Sequence, residues 1–161
     1  MDLEHFISKA CIESSSGVRR GDKIEETKAI REYILNSKTI VIPNCNDEKV
    51  AAVNEVLEEL DLPKAGHLNI HTDSCDVSRM PAVTKALMAL DMTNADLIIA
   101  RGRLGVPGSG SMLVIVDCKG RLLSASISPS HHIHGKTVYQ AVKDEMTDAL
   151  SRIGFDISGR G

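Results

Sequence analysis

The spacing of apolar positions changes several times along the chain, and each change marks an element. Leu3, Phe6, Ile7, Ala10 and Cys11 recur three and four apart, which predicts an amphipathic helix over 2–13, ended by the serines before Gly17. Asp22 and Glu25 have capping-box spacing and open a second helix, running to about Asn36. Its expected inner side carries Ile24, Thr27, Ile30, Tyr33 and Ile34, with Glu25, Glu26, Lys28, Arg31 and Glu32 solvated. An apolar run at 39–42 reads as the first strand, stopped by Pro43. Asn46 suits the N-cap of the next helix, which turns Val50, Val53, Val56, Leu57 and Leu60 inward. Residues 66–71 alternate as a half-exposed strand does. A helix over 80–90 follows, with Val83, Leu87 and Leu90 expected inside. The uninterrupted apolar run at 95–100 suits a central strand. Two more apolar runs, 112–116 and 122–127, flank Asp117, Cys118, Lys119 and Gly120 as a hairpin does. A last helix carries Val138, Val142, Met146, Ala149, Leu150 and Ile153 on one stripe and ends at Gly154. This order predicts one α/β domain over 1–161, with N-terminal helices in 1–36 and a loose tail in 155–161. Its sheet is mixed and contains an antiparallel hairpin.

Between the strands at 95–100 and 112–116 lies the stretch with the most chemistry. It holds Gly102, Gly105, Gly108 and Gly110, the guanidinium groups of Arg101 and Arg103, and the hydroxyls of Ser109 and Ser111. Glycines let successive N–H groups converge on one anion, and arginine forks match phosphate or carboxylate. An anion cradle at the end of buried strands is one reading; a plain glycine-rich connection is the other. The pattern is neither a P-loop nor a dinucleotide fingerprint.

Composition narrows the partners. The 161 residues are 42% hydrophobic but only 2% aromatic, with no Trp. A real core follows, built from aliphatic side chains. Stacking platforms for single-stranded nucleic acid do not, and a net charge of −3 gives no global basic field. Neither nucleic acid nor a membrane is expected as partner, since no apolar run approaches the length of a span. Cys11, Cys45, Cys75 and Cys118 lie far apart without a metal spacing, which fits free thiols in a cytoplasmic setting.

Further polar groups cluster at strand-to-helix turns. Asn44 and Lys49 follow the first strand, where ligands of open α/β sheets bind. Asp73 and Asp76 are candidate oxygen ligands for Mg²⁺, with Asp96 behind them, or caps for the following helix. His131, His132 and His134 precede Lys136 and Thr137 at the start of the last helix. Imidazoles serve as bases, ligand contacts or, with His67, His71 or Asp73, as metal ligands. A lysine and a hydroxyl at a helix start suit phosphate. No nucleophile elbow is present, so Ser109 reads as a phosphate contact.

The 101–111 block, with Ser128-Pro129-Ser130-His131 and Ile133-His134-Gly135-Lys136-Thr137, resembles the guanylyltransferase family of iron-guanylylpyridinol cofactor biosynthesis, which serves [Fe]-hydrogenase in methanogenic archaea. The resemblance implies a homodimer that joins GMP from GTP to a pyridinol hydroxyl and releases pyrophosphate. It also implies a fold similar to inosine-triphosphate pyrophosphatases, whose opening strand, Asn and Lys are partly echoed by Ile42, Asn44 and Lys49. On that reading Arg101, Arg103 and the backbone and hydroxyls of Gly108, Ser109, Gly110 and Ser111 hold phosphate, with Asn44, Lys49 and Thr137. Asp73, His131, His134 and Lys136 are the catalytic candidates, and Asp73 and Asp76 the Mg²⁺ ligands. A nucleoside-triphosphate pyrophosphatase and a non-catalytic nucleotide-binding module are the alternatives. Arg101→Ala is expected to weaken triphosphate use while leaving the fold intact.

Overall fold

The computed structural model describes residues 2–70, 78–130 and 134–157. Five helices and five strands appear there: α1 (Leu3–Ser15), α2 (Ile24–Leu35), β1 (Ile40–Ile42), α3 (Asp47–Glu59), β2 (Gly66–His67), α4 (Pro81–Met92), β3 (Leu97–Arg103), β4 (Ser111–Asp117), β5 (Leu122–Ser128) and α5 (Val138–Arg152). The sheet order is β2-β1-β3-β4-β5. β1 runs parallel to β2 and β3, whereas β3-β4 and β4-β5 are antiparallel hairpins. The expected mixed α/β domain is therefore present, with β3 at its centre.

Burial splits the core into two layers, one on each face of the sheet. Leu97, Ile99, Leu113 and Ile115 point to α3 and α5, where Val53, Val56, Leu57, Val142, Met146 and Leu150 meet them. Ile98, Ala100, Val114 and Val116 point the other way, onto Ala82, Ala86 and Ala89 of α4. Alternate residues of a strand face opposite sides, so one apolar run fills both layers. Helices on both faces make three layers.

Several local expectations shift. The N-cap of α2 is Lys23, not Asp22, and its backbone N–H is held by Glu26 instead of a Glu25 box, at 2.6 Å to Oε1. Glu26 is buried, not solvated, because Arg19 clamps it with two bonds of 2.7 and 2.8 Å. Ile24, expected inside, is 83% exposed. α4 presents its alanines and Lys85 to the sheet and leaves Leu87 outside, since only small side chains let the helix sit close to β3. Of the strand expected over 66–71, Gly66 and His67 pair with β1 among the described residues, and His71 lies outside them. Phe155 and Ile157 pack on the α5 layer, so that part of the expected tail is docked. Cys11, Cys45 and Cys118 are free and exposed. No helix among the described residues is long and apolar enough to cross a membrane.

Candidate functional site

β3 continues past Ala100, so Arg101, Gly102 and Arg103 are ladder residues opposite Leu113, Met112 and Ser111. The glycine-rich connection shortens to 104–110 and closes with the Leu104 N–H on the Gly110 carbonyl at 3.0 Å. Two glycines here are required by contact. A Cβ on Gly102 would lie 2.6 Å from the Ala82 nitrogen and 2.9 Å from Pro81 Cβ, because the first turn of α4 rests on the strand. Gly110 has φ +137°, and a Cβ there would overlap the Ser128 carbonyl.

These close approaches gather cations. Lys49 stands on the first turn of α3, whose N-terminus Asn46 caps through its side-chain oxygen at 3.1 Å from the Lys49 N–H. Lys85, buried on the inner face of α4, donates to the Arg101 carbonyl at 3.1 Å. Lys49, Lys85, Arg101 and Arg103 line one cavity of about 290 Å³ with Gly102, Gly108, Gly110, Ser111 and Ser130. It lies at the C-terminal ends of β1 and β3, the ligand-binding edge of an open α/β sheet. Burial pushes the Lys49 pKa down, and repulsion from Arg101 and Lys85 adds to it; Glu145 opposes weakly. A lysine disfavoured in its charged form marks a cavity that would accept negative charge.

Arg101 is not a free fork. Its Nε donates to both Glu145 oxygens at 2.9 and 3.2 Å, and its Nη2 to Oε2 at 3.0 Å. Nη2 also donates to Ser111 Oγ at 2.9 Å. The Ser111 and Ser128 hydroxyls each reach Glu145 Oε2 at 2.8 Å. Glu145 is 1% exposed, so this carboxylate is neutralised inside the protein and fixes the guanidinium plane.

Thus Lys49, Arg101, Arg103, Gly108, Gly110 and Ser111 come together. Ser109 does not join them: its hydroxyl turns back onto the Val106 carbonyl at 2.6 Å. The Asn44 side chain accepts from the Asn46 N–H at 2.8 Å and shapes the turn before α3, apart from the cavity lining. Thr137 caps α5 by accepting from the Gln140 N–H at 3.1 Å. Lys136 is paired with Asp144 at 2.7 Å, which raises its pKa. With His134 it lines a separate cavity of about 120 Å³, bounded by Ser128, Pro129, Ala141 and Asp144. Asp73, Asp76, His71, His131 and His132 lie outside the described residues. Asp96 sits at the other end of β3, where its carboxylate takes the N–H groups of Lys38 and Thr39 at 2.8 and 3.2 Å, far from any phosphate role.

A larger cavity, about 650 Å³, opens beside Asp96 between α1 and α2. Asp2, Glu32 and Asp96 line it against the single cation of Lys38, so it repels a polyanion. Lys85 and Glu145 are the site residues that sequence reading missed. The signal was present in both cases: each is a charged residue on an inward stripe, Lys85 between Ala82 and Ala89, Glu145 between Val142 and Ala149.

A three-layer α/β domain here gathers cations and glycine backbone at the ends of its parallel strands, an arrangement suited to an anionic small molecule. Against known families, residues 3–155 match the family model described as FeGP cofactor biosynthesis protein HcgB, guanylyltransferase. The chain belongs to that family. It is a guanylyltransferase of FeGP cofactor biosynthesis, and nucleotide and pyridinol-type substrates follow from that activity.

Proposed function

We propose that the cavity between Lys49, Lys85, Arg101 and Arg103 holds the triphosphate of GTP while the guanylyl group passes to a pyridinol hydroxyl. The observation that carries this reading is the convergence of those four cations on one glycine-walled recess. Its volume, about 290 Å³, suits a phosphate chain, not a whole nucleotide, so the base extends past the 104–110 connection. The pyridinol oxygen attacks the α-phosphorus, the bond to the β-phosphate oxygen breaks, and pyrophosphate leaves with the electron pair. The hydroxyl proton goes to a base, for which His134 and His131 are the candidates. Arg101 and Arg103, with the backbone at Gly108 and Gly110, meet the charge that develops on the phosphoryl oxygens.

Mg²⁺ belongs to the same proposal through Asp73 and Asp76. The described residues do not themselves fit the metal: no group of three or more His, Cys, Asp or Glu placed to hold a metal ion occurs among them. The cavity's nearest carboxylate, Glu145, is already filled by Arg101 and two serines. No step is therefore routed through the ion. A homodimer in the cytoplasm completes the reading. Apolar side chains left on the surface, such as Ile12 at 69% and Met80 at 61% exposure, support association, and free thiols suit a reducing compartment.

Incubation with GTP, Mg²⁺ and a 2-pyridinol tests the reading. A guanylyl-pyridinol adduct with stoichiometric pyrophosphate is expected. GMP without adduct would make the protein a pyrophosphatase, and bound but unchanged GTP a nucleotide-binding module. Either result overturns the proposal.

A further inference from the structure

We propose that Glu145 is a positioning residue: it acts on the nucleotide through Arg101, holding one guanidinium edge so that the other faces the triphosphate. This rests on the phosphate reading of the cavity given above.

Arginine carries five N–H donors in a rigid plane. Here Nε and Nη2 are turned inward onto Glu145 and Ser111. The remaining nitrogen, Nη1, makes no hydrogen bond among the described residues, and Arg101 lines the cavity. Glu145 comes from α5, 44 residues away in sequence, and reaches Arg101 from the helix packed on the face of β4 and β5. Ser111 and Ser128, at paired positions of those strands, bond the same carboxylate oxygen. Three elements therefore fix one plane before any ligand arrives. Donors fixed in advance need not reorganise as charge develops in a transition state. A carboxylate this deeply buried is weak as a stabilising device, since desolvation offsets its attraction to the arginine. Its placement is better accounted for by orientation.

Replacing the carboxylate with an amide gives the discriminating test. Glu145→Gln keeps the shape, removes one negative charge and leaves one acceptor in place of two. Arg101 then loses its bidentate hold, while the net positive charge of the cavity rises. The two effects push catalysis and binding in opposite directions. In full-length protein, kcat for guanylyl transfer is expected to fall about tenfold or more. The Kd for inorganic pyrophosphate, measured by calorimetry, is expected to tighten by about threefold. A purely structural role would lower activity only in step with the folded fraction and leave kcat per folded molecule unchanged.

Arg101→Met with Glu145→Gln guards against a folding failure, because it removes both buried charges together. In the Arg101→Met background the added Glu145→Gln should change kcat by less than about twofold, since its route of action is already gone. A further tenfold loss there would overturn the positioning role, as would unchanged kcat and Kd in the single variant. If wild-type protein binds no pyrophosphate, and Lys85→Met leaves GTP use untouched, the cavity itself is misassigned and the role of Glu145 goes with it.

Discussion

Arg101→Ala is the most informative single substitution, because it tests stability and function through the same group. In wild type the guanidinium gives three N–H contacts to Glu145, at 2.9, 3.2 and 3.0 Å. Truncation removes all three and leaves a carboxylate that is 1% exposed. Breaking a buried pair from one side costs about 3–5 kcal/mol. The Ser111 and Ser128 hydroxyls still donate to Oε2, which argues for the lower end. At ~3 kcal/mol, a domain of this size should lose roughly 6–12 °C in Tm. The fold is thus expected to persist at lower stability, because Arg101 is paired with a buried carboxylate. Thermal unfolding followed by circular dichroism reads the shift. Turnover of GTP, assayed well below the new Tm, should fall about 10²–10³-fold in kcat/KM. A Tm change under about 2 °C would mean that the Arg101–Glu145 pair contributes little to the folded state. Unchanged kcat/KM in a folded variant would remove Arg101 from the reaction.

The other expectations are narrower. Lys85→Met replaces a buried cation with a chain of similar length, so kcat/KM for GTP should drop about 10²-fold in steady-state assays while Tm shifts by no more than a few degrees. Gly102→Ala places a methyl group 2.6 Å from the Ala82 nitrogen, and about 1–3 kcal/mol of stability should be lost in urea denaturation as α4 is pushed off β3. The Lys49 pKa is depressed in the folded state, so the unfolded chain binds the proton more tightly and stability should rise with pH as Lys49 loses its charge below 10.5. Lys49→Met should abolish that rise in denaturation curves taken across the alkaline range. Pyrophosphate binding in the same range should take up protons, seen as a buffer-dependent calorimetric heat, because an anion favours the charged lysine.

How much of this was legible follows from which forces act locally. The Asn46 cap, the inward stripe of α3 and the hairpin at 117–120 depend on neighbours a few residues away, and all appear where the spacing places them. The same spacing misplaced one residue of α4: Val83 and Leu90 pack against the core as expected, whereas Leu87 is exposed. Val83, Leu87 and Leu90 form an apolar stripe as regular as Ala82, Ala86 and Ala89, and periodicity alone does not choose between them. Helix-to-sheet distance sets the closest positions: Gly102 brings α4 within contact of β3, and the alanines and the long stem of Lys85 take the buried places there. Asp22 and Lys23 show the same limit at smaller scale, because burial of Glu26 under Arg19 moved the cap by one residue.

By itself the sequence determined the α/β class, the central position of the strand read at 95–100, and the presence of glycines and guanidinium groups after it. Those are properties of hydrophobic period and local backbone freedom, which need no partner. Tertiary structure alone decided which charges meet. It took Ser109 and Asn44 out of the cavity, put Lys136 on Asp144, brought Lys85 in from the preceding helix, and set Glu145 of α5 behind Arg101. The physical reason is that a buried charge has to find its counter-charge or donor nearby in space, and only the packing of α4 and α5 on the sheet sets that distance.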